Sequence, residues 1–227
     1  MGVQLPRWVW VGAGLLACVA GMVNVVGYLS FEQQAVTHLT GTTTLLGEAV
    51  AKRDLHAISR LAGVALAFMA GAALSGMIVQ DSTLKLGRRY GVALVLESLL
   101  LFAAIPLFMQ GRLAGPLLAA MACGLQNAMA TTYSGAVIRT SHLSGMFTDL
   151  GIGLGHALRG MPLQKRRLLL CGLIISGFFT GAVLGALLFV RFGYAALAVP
   201  ATITGSIGLG YAAHRQLQLR RARTGAP

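Results

Sequence analysis

Six runs of about twenty mostly apolar residues follow one another along this chain, over 8–28, 57–79, 90–108, 115–132, 168–190 and 193–213. Each is long enough, as a helix, to cross roughly 30 Å of hydrocarbon. Nothing between them is long or polar enough for a separate soluble domain. Only 11% of the residues are charged and 56% are hydrophobic, whereas a soluble domain carries about a quarter charged residues. The expectation is an all-α polytopic membrane protein, with 1–227 as one membrane domain and the bilayer as its first partner.

The net charge of +12 raises nucleic acid as a partner, but the basic residues form no stripe with aromatics. They cluster between the apolar runs and in a basic tail, 214–227. Lys85, Arg88 and Arg89 form one cluster, Lys165, Arg166 and Arg167 a second, and Arg215, Arg220, Arg221 and Arg223 a third. With six spans and both termini in the cytoplasm, all three face inward, as the positive-inside rule requires. The start, Arg7 followed by WVWVGAGLLACVAG, has the look of a signal peptide, but no soluble segment follows for it to export. It reads as the first span. Cys18, Cys123 and Cys171 lie inside apolar runs and read as small core residues; no cofactor or metal motif occurs.

Two polar phrases interrupt this pattern: THLTGTTTLLG at 37–47 and SHLSGMFTDLG at 141–151. Each leads into a short helical run, 42–52 and 146–159. If both runs crossed fully, the Lys85 cluster would fall outside, so each is expected to re-enter on the same side; lying flat at the interface is the alternative.

The phrases belong to a longer internal repeat. Gly21-Met22-Val23-Asn24 matches Gly124-Leu125-Gln126-Asn127, and FMAGAAL at 68–74 matches FFTGAVL at 178–184. The halves, about 8–110 and 111–213, carry three spans each. An odd number puts the second half into the membrane upside down, an inverted repeat of the kind found in transporters.

The motifs GMVNVVGYLS, THLTGTTTLLG, GLQNAM and TSHLSGMFTDLG make the chain resemble the YoaK/DUF1275 family of bacterial inner-membrane proteins, over nearly its whole length. The resemblance implies six spans and a multi-pass place in the bacterial inner membrane; it implies little about substrate. Members commonly carry an acidic residue where this chain has Asn24.

The candidate site is built from the phrases. Thr40 and Ser144 can cap the helices that follow. Gly41 and Gly145 permit a sharp turn or the close approach of another group. Two helix N-termini pointing at the midplane would favour a small anion or an acceptor-rich solute. Thr44 and Thr148 follow one turn on. His38 and His142 either tie down their loops or act as a ligand or proton-carrying pair. Asn24, Gln126 and Asn127 either cross-link helices or line a solute path. Glu97, the carboxylate deep in a span, is the candidate for proton coupling. Gly71 with Ser75, and Gly181 with Gly185, set small residues four apart for close helix packing. A homodimer is compatible with so thin a bundle.

The expected function is a transporter or channel for a small solute. A non-transporting membrane scaffold or regulator is the alternative, favoured by a packed interior with no cavity between the phrases. A lipid-directed enzyme lacks a nucleophile–base pair or metal constellation, so no enzymatic activity is expected.

Overall fold

A computed structural model describes residues 7–30, 36–79, 88–134 and 139–224. Lys85, and the end of the basic tail at 225–227, lie outside them. The described residues form helices and no strand. In order these are α1 (Arg7–Leu29), α2 (Leu39–Lys52), α3 (Leu55–Val79), α4 (Arg88–Met109), α5 (Ala114–Tyr133), α6 (Leu143–Leu158), α7 (Lys165–Phe192) and α8 (Ala198–Thr224). A 3-10 turn, Gly193–Leu197, joins α7 to α8, and Gly193 opens it at φ 57°, a conformation that only glycine adopts without strain.

Six of these helices fall on the six apolar runs, and α2 and α6 fall on the two phrases. Four stretches among the described residues are long and apolar enough to cross a membrane: Val9–Leu29, Leu55–Val79, Arg89–Met109 and the continuous Lys165–Ala213. The protein is therefore a helical, membrane-embedded one. Helix α5 is not among the four because Gln126, Asn127, Thr131 and Thr132 dilute it. It tolerates them because protein surrounds it: Ala120, Leu125, Gln126 and Met129 are all almost fully buried. The outer faces of α3 and α7 do the opposite, leaving Met69, Met77, Phe179, Leu187 and Val190 exposed. Large apolar side chains turned outward are what lipid asks of a surface.

Lipid gives no hydrophobic reward for bringing helices together, so packing must rest on close fit. Small residues supply it. Helix α1 lies along α7 and α3 lies along α5. A Cβ at Gly21 would overlap the carbonyl oxygen of Phe178, and one at Gly181 would overlap that of Cys18. In the second pair, a Cβ at Gly124 would overlap the carbonyl oxygen of Phe68, and one at Gly71 that of Met121. Those contacts correspond one for one in the register of the repeat, Gly21 with Gly124 and Phe68 with Phe178. The fit is even exchanged once. Leu173 packs on Gly14 in the first crossing, and Leu117 packs on Gly63 in the second.

The contacts also give directions. Gly14 meets Leu173, Cys18 meets Gly181 and Met22 meets Gly185, so both helices advance together and α1 runs parallel to α7. Gly63 with Leu117 and Phe68 with Gly124 make α3 parallel to α5. Helices α4 and α8 run antiparallel: Tyr90 meets Tyr211 with ring centres 5.3 Å apart, Val95 meets Gly208 and Ser98 meets Gly205.

Candidate functional site

The phrases fold alike. His38 and His142 are the residues before α2 and α6, with φ/ψ of −93°/65° and −91°/60°. Both helices begin three residues earlier than the sequence suggests, because Thr42 N donates to His38 O and Met146 N to His142 O. Thr40 and Ser144 are thus inside the first turn and do not cap; the cap positions belong to the histidines, whose side chains make no capping bond. Of the two roles open to Gly41 and Gly145, the structure realises close approach. Each imidazole folds back over its own helix, and an added Cβ at Gly145 would stand 2.5 Å from Nε2 of His142. The same collision awaits a Cβ at Gly41, against Cδ2 of His38.

Four hydroxyls of the phrases, at Thr42, Thr43, Thr44 and Thr148, turn inward on their own helices. Thr44 Oγ1 donates to Thr40 O at 3.0 Å, and Thr148 Oγ1 to Ser144 O at 2.9 Å. Thr42 and Thr43 do the same with His38 O and Leu39 O. Such bonds let a hydroxyl sit on an exposed face without water. Thr40, Thr44, Ser144 and Thr148 are exposed, as are both histidines. Helix α2 packs on α3 and α6 packs on α7, and the two phrase helices do not touch each other. The structure therefore does not bring His38 to His142, nor one helix N-terminus to the other.

The polar side chains within the spans divide into fasteners and groups with a buried atom left unbonded among the described residues. Asn24 Oδ1 accepts from Thr37 Oγ1 at 2.6 Å and from Thr37 N at 3.1 Å, which ties the first phrase to α1. Gln126 Nε2 donates to Leu16 O at 2.6 Å, joining α5 to α1. Asn127 Oδ1 and Glu97 Oε2 are buried and make no hydrogen bond among the described residues. Glu97 lies in the packed interior on α4, beside the buried Cys123 of α5. A fork of two bonds, Arg167 Nη2 to Asp149 Oδ1 at 2.8 Å and Arg167 Nε to Oδ2 at 3.1 Å, holds α6 against α7.

A partly open cavity lies elsewhere, at the end of the bundle where α1 and α4 finish and α3 and α5 begin. It holds about 130 Å³. Val64, Phe108, Pro116 and Tyr194 give it apolar walls, and Tyr194 stacks on Phe108 with ring centres 5.1 Å apart. His56, Arg60 and Arg112 give it three basic groups, and no acidic residue is among the described residues that line it. The sequence patterns single out none of the three as a candidate. One signal exists: Arg60 stands inside the apolar run LHAISRLAGVAL, where a charge is costly and needs a reason. Arg112 joins it only because the α4–α5 turn folds back over the start of α3.

No group of three or more potential metal ligands occurs among the described residues. The family model described as "Protein of unknown function (DUF1275)" matches residues 12–210 of the chain. No curated protein and no solved structure matches it.

Proposed function

We propose that this chain, which belongs to the DUF1275 family, moves a small solute across a membrane through two inverted three-span halves. The observation that carries the reading is the pairing of repeat-equivalent crossings, α1 on α7 and α3 on α5, around an antiparallel α4–α8 centre. Six crossings, with α2 and α6 re-entering, make α4 and α8 antiparallel. Eight crossings would make them parallel. Helix α2 has 14 residues, about 21 Å at 1.5 Å per residue, which is short for a crossing. Two halves that meet through glycine contacts can rock against each other around a fixed site.

The solute path runs beside the phrases. Asn24, His38, Thr40, Gly41 and Thr44 contribute from the first half, and Gln126, Asn127, His142, Ser144, Gly145 and Thr148 from the second. The exposed faces of α2 and α6 are closed on the outside by lipid or by a second copy of the chain. Glu97, buried with one oxygen unbonded, is the group that would carry a coupled proton. The bacterial inner membrane, with both termini cytoplasmic, is the setting the charge pattern favours.

The direct test is uptake of a panel of radiolabelled small solutes into proteoliposomes. Uptake that depends on the protein, and that falls with Thr40→Val plus Ser144→Val, is the expected result. Uptake indifferent to that pair would remove the phrases from the path, and no uptake across the panel would remove transport.

One observation favours a second reading, a non-transporting membrane scaffold. The two phrase helices stand apart, and the hydroxyls of Thr44 and Thr148 are bonded within their own turns. The same uptake experiment separates the two.

A further inference from the structure

We infer that the two phrases are latches that close in turn. The bonds from Thr37 to Asn24, made in this structure, alternate with an equivalent set from Ser141 to Asn127, which is open in it. This deepens the transport reading and rests on it for its purpose.

The halves differ where the repeat says they should agree. Asn24 and Asn127 hold one register position, and Thr37 and Ser141 hold another, each directly before its histidine. The phrases are locally alike, with His38 at φ/ψ of −93°/65° and His142 at −91°/60°. Yet Asn24 Oδ1 accepts from Thr37 Oγ1 at 2.6 Å and from Thr37 N at 3.1 Å, whereas Asn127 Oδ1 is buried and accepts nothing among the described residues. In the second phrase Thr140 Oγ1, next to Ser141, is likewise buried and unbonded. A buried polar atom without a partner is costly. The first half shows what would satisfy Asn127: a hydroxyl and an N–H from the start of its own phrase. Since the turns already match, what differs is where each phrase sits against its asparagine.

Packing turns that difference into a motion. Helix α2 lies on α3, which lies on α5; α6 lies on α7, which lies on α1. The fork from Arg167 to Asp149 fixes α6 to α7. Within α1–α7 and within α3–α5, glycines set backbone against backbone, so each pair moves as one body. Asn24 stands on α1 and holds a phrase that belongs to α3–α5. Asn127 stands on α5 and faces the task of holding a phrase that belongs to α1–α7. Both latches therefore cross the same boundary. They do so toward opposite ends, because α1 finishes where α5 begins and each asparagine lies in the last two turns of its helix. Two bodies that rock on one another draw together at one end as they part at the other. One latch closed and one open is the arrangement such rocking produces.

The test uses the full chain in proteoliposomes without solute, with Cys18, Cys123 and Cys171 replaced and Asn127→Cys plus Ser141→Cys introduced. Copper phenanthroline is the oxidant, and loss of labelling by a mass-tagging maleimide reads the disulfide within the chain. The pair should cross-link slowly, and about fivefold or more faster when Asn24→Ala opens the first latch. Asn24→Asp keeps an acceptor for Thr37 and should leave the slow rate. If Asn24→Ala does not fold, Thr37→Val removes the hydroxyl bond from the other side and should also speed the cross-link. No cross-link between positions 127 and 141 in any background would overturn the inference, as would a rate that ignores Asn24 and Thr37. So would an equal rise with Asn24→Asp, which would trace the effect to loosening rather than to the lost bonds. Uptake is measured separately. Coupled cross-linking in a chain that takes up no solute would keep the latches and remove transport, and uptake without coupling would do the reverse.

Discussion

The imidazole of His38 occupies the space that a side chain at position 41 would need, and His142 stands in the same relation to Gly145. The motif His-Leu-hydroxyl-Gly is therefore one packing unit: the ring closes over the first turn, and the glycine makes room for it. Gly41→Ala and Gly145→Ala should each displace a ring and destabilise the protein by about 1–3 kcal/mol, the usual range for overpacking. His38→Ala combined with Gly41→Ala should recover most of that loss. Thermal unfolding in detergent, arranged as a double-mutant cycle, measures it. An additive pair would show that ring and glycine are independent.

The glycine crossings predict a different pattern. Alanine at Gly21, Gly71, Gly124 or Gly181 would put a methyl onto a backbone carbonyl, which cannot swing aside as a side-chain end can. Each should cost at least about 2–3 kcal/mol or prevent folding, more than overpacking against flexible side chains does. Equivalent positions should match: Gly21 with Gly124, and Gly71 with Gly181. A Cβ added at Gly12 or Gly47 would meet nothing within 4 Å, so alanine there should be neutral or slightly stabilising, since alanine is the better helix former by about 1 kcal/mol. Midpoints of unfolding for the six single variants decide it.

Asn24 should tolerate aspartate better than alanine. Its Oδ1 only accepts, twice from Thr37, and a carboxylate oxygen can accept both bonds. Asn24→Ala strands a buried hydroxyl and a backbone N–H, at about 1–3 kcal/mol. Loosening of the first phrase should then show as faster labelling of a cysteine placed at Thr37's neighbour His38. Equal labelling in the alanine and aspartate variants would show that the Thr37 bonds do not hold the phrase.

The helices were legible in the sequence because lipid leaves the backbone no alternative, and apolar length alone marks them. The small-residue pairs at Gly71 and Gly181 were legible as packing for the same reason. Local detail was less so. Thr40 and Ser144 have the chemistry of caps, yet the carbonyls of His38 and His142 close the first turn before them. Long-range partners were out of reach. Nothing in the sequence tells Gln126 that its acceptor is Leu16 O, 110 positions away, or that the α4–α5 turn delivers Arg112 to Arg60. The fold thus places the phrases apart and gathers charge at a bundle end that local pattern leaves unmarked.

The side of the membrane on which Lys52 emerges separates the two possible chain paths. Lys52 is exposed at the end of α2 and pairs with Glu48 one turn back, whose carboxylate raises the ammonium pKa. Arg53, in a left-handed conformation at φ 57°, and Asp54, whose Oδ1 accepts from Ala57 N at 3.0 Å, then turn the chain straight into α3. If α2 re-enters, this turn lies on the side opposite the termini. With Cys18, Cys123 and Cys171 replaced, a lone cysteine at position 52 should be labelled by an impermeant thiol reagent from outside intact cells. A cysteine at Arg159, after α6, should be labelled only once the cytoplasmic face is opened. Under eight crossings Lys52 would face the cytoplasm, and α4 and α8 would have to run parallel. The contacts of Tyr90 with Tyr211 and of Ser98 with Gly205 run the other way, so external labelling at position 52 is the expected result.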